Sequence, residues 1–463
     1  MKNRLKRVAG SLDRLPLGRT PLVMLALLLI SATLRASLTS DDDDQHLTYW
    51  AFARIHYEDY VVAMRRFEEA YPGWKVDLKL VDSISLVNRL TAAFVRGSGA
   101  PDACDIDINN VHRFFKGRPE DLPFEDVEAL GARFGDAGWT DGFVTSRFTP
   151  WSHEGHIFGV PLALNPVVML YREDLFAARG YPDLPAELKT WDDLVRIGRE
   201  VTSRDPADPR YVIGLNLDDI WEYWPMLLQR GGSFYDADGR VVIHSPEAVA
   251  TLRFYASMFR EHDIAWPIRD LPTLWAAIKR DEVMSFLAAD WFVGFLRNNV
   301  PEQAGKWRAM ALPAWYEGGR RTSTFGGSTT VIPKQGKQKE MAWELAKFLF
   351  ISPGESVLRS IRTRVMPVVH AAYEDPRLID ERFAYLGGQK LGKLFADLRH
   401  DVPPVYYHST WPETSLQLRD VVFRATQHGE DPGALLRQLH LDAEATVARY
   451  QAVEARLYGG ETH

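Results

Sequence analysis

His153-Glu154-Gly155-His156 is the most metal-like run in the chain. A zinc protease sets its two histidines four apart on one helical turn, with a glutamate between them. Here they stand three apart and straddle a glycine, so the run is expected to be a turn leading into the next strand. Asp105-Ile106-Asp107-Ile108-Asn109 opens like a calcium loop, but Asn110 replaces the turn glycine and Lys116 stands where the bidentate glutamate belongs. Phe325-Gly326-Gly327-Ser328-Thr329-Thr330 is glycine-rich yet lacks the Gly-Lys-Ser/Thr ending that holds a nucleotide phosphate. No Gly-x-Ser-x-Gly elbow occurs, which argues against an α/β-hydrolase. A single cysteine, Cys104, rules out an intrachain disulfide framework and a cysteine zinc cage. The paired carboxylates of a glycosidase stay open, since 62 acidic residues supply many candidates. No catalytic signature rises above the background, and neither a cofactor nor a metal site is expected.

Those residues sit in a chain of 463, long enough for a large two-lobed body or for two or three domains. Hydrophobic residues make up 46% and charged residues 25%, as in a globular protein. The net charge of −7 is spread along the chain, which argues against a nucleic-acid partner. Fourteen Trp stand beside 17 Tyr and 23 Phe, an aromatic excess that asks for a use.

The N-terminus begins with Lys2, Arg4, Lys6, Arg7, Arg14 and Arg19, then an apolar run from Pro21 to Leu34. A basic flank, a short greasy core and small residues such as Ala36 make the pattern of a secretory signal. The run falls short of the ~20 residues of a membrane span. Residues 1–36 are therefore expected to be a signal peptide, with an uncleaved membrane anchor over 21–34 as the alternative. Residues 37–46, with Asp41 to Asp44, read as an acidic linker. The protein is expected outside the inner membrane, in the periplasm or on the extracellular face.

From Leu47 onward, short apolar strands alternate with amphipathic helices. Strands are expected at 47–52, 75–81, 103–108, 159–164 and 212–217. Helices are expected at 58–70, 84–95, 192–201, 221–230, 340–350 and 432–458. On the 103–108 strand, Cys104, Ile106 and Ile108 share one face, and Asp105, Asp107 and Asn109 the other. Strand–helix–strand at this spacing means an α/β fold with a largely parallel sheet, and helices dominate the C-terminal part.

Several stretches in this order resemble the extracellular solute-binding proteins of ABC importers, in particular the sugar-binding family that includes maltose-binding protein. They are Leu47-Thr48-Tyr49-Trp50-Ala51-Phe52, Phe67-Glu68-Glu69-Ala70-Tyr71-Pro72-Gly73-Trp74, and Gly99-Ala100-Pro101-Asp102. Then come Gly159-Val160-Pro161-Leu162-Ala163-Leu164-Asn165, Leu170-Tyr171-Arg172-Glu173-Asp174-Leu175-Phe176 and Lys189-Thr190-Trp191-Asp192. Trp224 with Gly231-Gly232, Phe325-Gly326-Gly327, Ile332-Pro333-Lys334 and the Glu340–Ala346 helix complete the set. Where the family usually has Gly-Lys-x-Ala-Met before its central Trp, this chain has Lys279 to Ser285 and keeps only Met284. After Arg362 the likeness is one of outline.

The resemblance implies a type II-like periplasmic binding protein: two α/β lobes, a hinge, and a cleft that closes on its ligand. It places lobe 1 at 47–164 plus 325–370, and lobe 2 at 165–324 plus 371–463. A sugar has apolar C–H faces for aromatic rings and a rim of hydroxyls for directional polar groups. Such groups are expected at strand ends and helix starts facing the cleft. Trp50, Arg54 and His56 follow or end the first strand, Asp107 and Asn109 end the third, and Asn165 marks the first crossing between lobes. Asp219, Trp221 and Trp224 resemble the segment where an acid and two aromatics hold the sugar. Asp290, Trp291, Gly327, Trp411 and Glu413 join them by resemblance. Plainer roles stand beside these. Arg54 and His56 could be surface groups, Asp219 a helix cap, and Trp224 part of a buried stripe. Trp191 and Trp343 are expected in the core.

The expected function is a non-catalytic, monomeric receptor that hands a small carbohydrate to a membrane permease energised by a separate ATPase. Three rivals remain: the same fold holding a polyamine, amino acid or anion; an exported carbohydrate-active enzyme; and an anchored ligand-sensing subunit.

Overall fold

The computed structural model describes residues 45–458 and, upstream, only Met24, Leu28 and Ser31. The expected signal or anchor and nearly all of the acidic linker lie outside the described residues. No described helix is long and apolar enough to cross a membrane.

In chain order the strands used below are β1 (His46–Ala51), β2 (Lys75–Leu80), β3 (Ala103–Asp107), β4 (Val160–Pro161), β5 (Pro166–Arg172), β6 (Ile213–Asn216), β7 (Ala265–Ile268), β8 (Ser285–Ala289), β9 (Trp307–Met310), β10 (Ser323–Thr324) and β11 (Ser328–Val331). The first sheet runs β2-β1-β3-β11-β4, and the second β9-β5-β8-β6-β7, with β10 also on β5. Each is covered by helices, so the protein is a two-lobed α/β body with a helical C-terminal part.

The sheets are mixed rather than largely parallel. β1 lies parallel to β2 and β3, and β6 parallel to β7 and β8. β5 is antiparallel to β8, β9 and β10, and β11 is antiparallel to β3 and β4. The physical reason lies in how these two strands arrive. Each enters directly from the other lobe, through 162–165 or 325–327, without the helical crossover that parallel neighbours need. Of the expected 159–164 strand only Val160–Pro161 pairs. β5, not among the expected strands, is buried at every position, so it carries none of the alternation that marks a half-exposed strand.

Local signals set the helix ends. Asp82 accepts from Ser85 N at 3.0 Å to start Ser83–Arg96, which ends at Gly97 in the left-handed region (φ +75°). Thr190 and Asp193 form a capping box on Trp191–Val201. Trp191 and Trp343 are core residues, as expected. The C-terminal chain divides between packing partners. Gln389 hydrogen-bonds both the N–H and the C=O of Ala309 in β9 (2.8 and 2.6 Å). Farther on, the helices Trp411–Phe423 and Pro432–Tyr458 pack on each other, and the latter on Pro246–Arg260.

The metal-like runs serve the fold. Ser152–His153 and His156–Ile157 pair as a hairpin around Glu154 and Gly155, both at positive φ. Its histidines bond apart, His153 Nε2 to Gly117 O at 2.8 Å and His156 Nδ1 to Asp126 Oδ2 at 2.7 Å. In β3, Asp105 is fully buried and accepts from Tyr60 OH (3.0 Å), Thr330 Oγ1 (2.9 Å) and Tyr49 OH.

Candidate functional site

The chain passes between the sheets at Asn165 and again at Phe325-Gly326-Gly327, and the ends of β3, β6 and β8 open toward these passages. Three hollows adjoin there, of about 730, 750 and 630 Å³. All three include Trp291 in their walls.

The largest lies on the lobe 1 side, between Phe52, His56, Asp107 and Asn109 of the first lobe and Asn165, Trp291 and Gly327 at the passages. His56 Nδ1 sits 3.3 Å from Asp105 Oδ2, which fixes its ring against the buried tyrosine pair. Asp107 accepts from Asn109 N (3.0 Å), from Asn110 Nδ2 (2.8 Å) and from Ser83. Asn165 takes φ +52°, a left-handed conformation that asparagine tolerates better than most residues. Gly327 is required by its surroundings: at φ +141° a Cβ would lie 2.8 Å from Arg147 Nη2.

A second hollow, within lobe 2, is walled by Trp221, Trp291, Phe292 and Phe325, with Asp218, Asp219, Glu222, Asp270 and Arg269 as its charged groups. Asp219 Oδ1 accepts from Ile220 N at 2.6 Å and meets Arg419 Nε at 3.2 Å. Burial raises its pKa, and both partners pull it back. Glu222 is fully buried, and desolvation pushes its carboxyl up to about 7 although Asn216 donates to it from N (2.8 Å) and Nδ2. The third hollow joins the lobes: Ile108 and Asn109 on one side, Asp219, Trp221 and Trp224 on the other, with Tyr407 and Trp411 from the C-terminal part. At the junction Trp221 meets Trp291 edge-on at 6.0 Å and Phe325 at 5.5 Å. Trp291 Nε1 donates to Phe325 O at 3.3 Å.

The structure thus brings together His56, Asp107, Asn109, Asn165, Asp219, Trp221, Trp224, Trp291, Gly327 and Trp411. Four others stand apart from these hollows. Trp50 lies half-buried against the small core of Val81, Leu86 and Phe124. Arg54, with its side chain 79% exposed, pairs with Glu58 one helical turn on. Glu413 pairs with Arg449 at 3.1 Å on the outer surface. Asp290 is fully buried behind the passages, where it accepts from Met366 N (2.6 Å), Trp291 N (2.8 Å) and Asn165 Nδ2 (3.3 Å). Trp224 borders a hollow but is only 3% exposed, packed 5.1 Å from Trp411 in the second core. Trp221 is the ring of the two with free surface.

Phe325, Phe295, Tyr407 and the acids Asp218, Glu222 and Asp270 also line the hollows and were not among the expected ligand residues. Phe325 opens the quoted Phe325-Gly326-Gly327, and Glu222 stands between the expected Trp221 and Trp224, so both had a visible signal. Tyr407 had none: it lies in an irregular stretch that crosses to the first lobe, where its ring stacks on His112 at 5.0 Å.

Chemically the cleft offers ring faces at its centre, with amide and carboxylate groups at the rim. That suits an uncharged polyhydroxylated molecule with apolar faces.

Residues 56–352 match the bacterial extracellular solute-binding proteins. Over 420 residues the chain is 26% identical to an arabinooligosaccharide-binding protein of Bacillus subtilis, covering 87% of this chain and 93% of that one. An arabinooligosaccharide-binding protein of Halalkalibacterium halodurans is 25% identical over 433 residues, covering 91% and 92%. Among solved structures, the sugar-binding protein MalE of Xanthomonas citri superposes with a TM-score of 0.74 at 20% identity, over 88% of this chain and 98% of that one. This chain belongs to the bacterial extracellular solute-binding protein family.

Proposed function

We propose that this member of the family is the carbohydrate-binding component of an ABC importer, exported from the cytoplasm and non-catalytic. The lobes are 47–164 with 325–370, and 165–324 with 371–463, and they close on a sugar held between them. The observation that carries this reading is the interlocked Trp221–Trp291–Phe325 cluster where three hollows meet, with Asn109, Asp107, His56 and Asp219 at the edges. The rings cover C–H faces, while the amides and carboxylates select hydroxyl positions. The names of the two relatives make arabino-oligosaccharides the first ligands to try. The partner that receives the sugar is a membrane permease, and the receptor works as a monomer.

Thermal unfolding against arabino-oligosaccharides, other mono- and oligosaccharides, polyamines and amino acids tests the reading. Ligand at a hundredfold excess over its dissociation constant adds about 2.7 kcal/mol of stability. A shift with one sugar class, abolished in Trp221→Ala, supports it. A shift with a polyamine alone favours a second reading, a cationic solute drawn to Asp218, Asp219, Glu222 and Asp270. Turnover of a sugar would replace the receptor with an enzyme.

A further inference from the structure

Two fully buried ionisable side chains, Arg147 and Asp290, lie behind the passages between the lobes. Neither pairs directly with an opposite charge among the described residues. Arg147 comes from the first lobe. It donates from Nη1 to Thr324 Oγ1 (2.8 Å), and from Nη2 to Asn165 Oδ1 and Gly326 O (3.4 Å each). Asp290 begins the lobe 2 helix Asp290–Asn299, and it receives N–H groups from Asn165, Trp291 and Met366. A single neutral amide, that of Asn165, therefore stands between the guanidinium and the carboxyl group, one bond to each.

Each passage between the lobes ends in this network. Asn165 is the first. Thr324 and Gly326 flank the second, and Met366, whose carbonyl also accepts from Leu164 N at 2.9 Å, follows the helix Pro353–Thr363. In a low-dielectric interior such charged hydrogen bonds are strong, and leaving one partner unmatched is costly. Any rotation of one lobe against the other must stretch bonds here, because Arg147 and Asp290 ride on different lobes. The network also touches the cleft, since Asn165, Gly327 and Trp291 line its hollows.

We infer that Arg147, Asn165 and Asp290 form the pin that fixes the resting angle between the two lobes. Arg147 and Asp290 are positioning residues: they hold Asn165 and Trp291 at the cleft without reaching ligand themselves. The inference concerns the ligand-free protein and stands whichever solute the cleft takes.

Small-angle scattering of the ligand-free full chain tests it, with wild type, Asp290→Asn, Thr324→Val and the surface control Lys393→Ala. A compact body of this length has a radius of gyration of about 23 Å. Both hinge variants are expected to shift it upward relative to wild type, while Lys393→Ala leaves it in place. Thr324→Val removes only the acceptor facing Arg147, so it decides the matter even if Asp290→Asn does not fold. A lowered unfolding midpoint with an unchanged radius, in every variant that folds, would overturn the pin and leave these residues a purely structural role.

Discussion

The indole of Trp411 donates from Nε1 to Asn109 Oδ1 at 3.2 Å, joining the start of a C-terminal helix to the loop after β3 in the opposite lobe. Trp411 is otherwise buried against Trp224 and Phe234, so its ring cannot turn away to another acceptor. The bond crosses the mouth of the hollow that both residues line.

Trp411→Phe and Asn109→Ala, alone and together, measure that bond. A net contribution of about 1 kcal/mol is expected as the coupling energy in urea unfolding. A coupling near zero would mean that the lobes are not tied there.

Trp221 and Trp224 are expected to separate binding from stability. Trp221→Ala should weaken sugar affinity while leaving the unfolding free energy nearly unchanged. Trp224→Ala empties a core position and should cost about 3–5 kcal/mol of stability. Calorimetric titration and urea unfolding on both variants check this, and equal stability losses would contradict it.

Gly327→Ala is expected to destabilise the protein and also to distort the cleft. The new methyl would press on the guanidinium of Arg147 and on Asn165 at 3.3 Å. Gly326→Ala, at φ +75° with its nearest contact 3.4 Å away on Trp291, meets little crowding and should lose about 1 kcal/mol of stability, mainly to backbone strain. Urea unfolding ranks the two, and the reverse order would refute the crowding.

Stability should fall as pH rises through neutrality. Glu222 and Asp290 have carboxyl pKa values pushed to about 7 by burial, above the ordinary 4.5 and 3.8. The folded state therefore binds protons more tightly than the unfolded chain in this interval. Their contribution is fully present below about pH 4 and is lost as pH climbs through 7. Glu222→Gln keeps an acceptor for Asn216 and should flatten the slope of unfolding free energy between pH 5 and 8. An unchanged slope would show that Glu222 does not titrate there.

Much of this was legible in the residues. Alternating apolar runs marked β1 and β3, and the helices 84–95 and 192–201 were expected within a residue of where they begin. The crossings near 165 and 325 came from the family resemblance, whose lobe boundaries fall there. The cleft residues that were found sit at strand ends and helix starts, as open α/β sheets require. What stayed hidden depends on burial from both sides. β5 shows no period because both of its faces are covered. Asp290 looked like a ligand acid because nothing in its neighbours reveals that Met366, far along the chain, donates to it. Trp50 alternates correctly with Tyr49, but the face it occupies turns toward a separate small core rather than the cleft.

The insertion of β11 between β3 and β4 sets the order in which the protein can be finished. Thr330 must reach Asp105 across a sequence separation of 225 residues before the first sheet is complete. So long a loop makes the contact order high and the folding slow. During synthesis, a chain that has not yet reached residue 331 holds β3 with an open edge, and lobe 1 cannot close however fully lobe 2 has collapsed. The protein therefore folds late. Every chain short of that point holds an unfinished sheet awaiting a strand from its own last third.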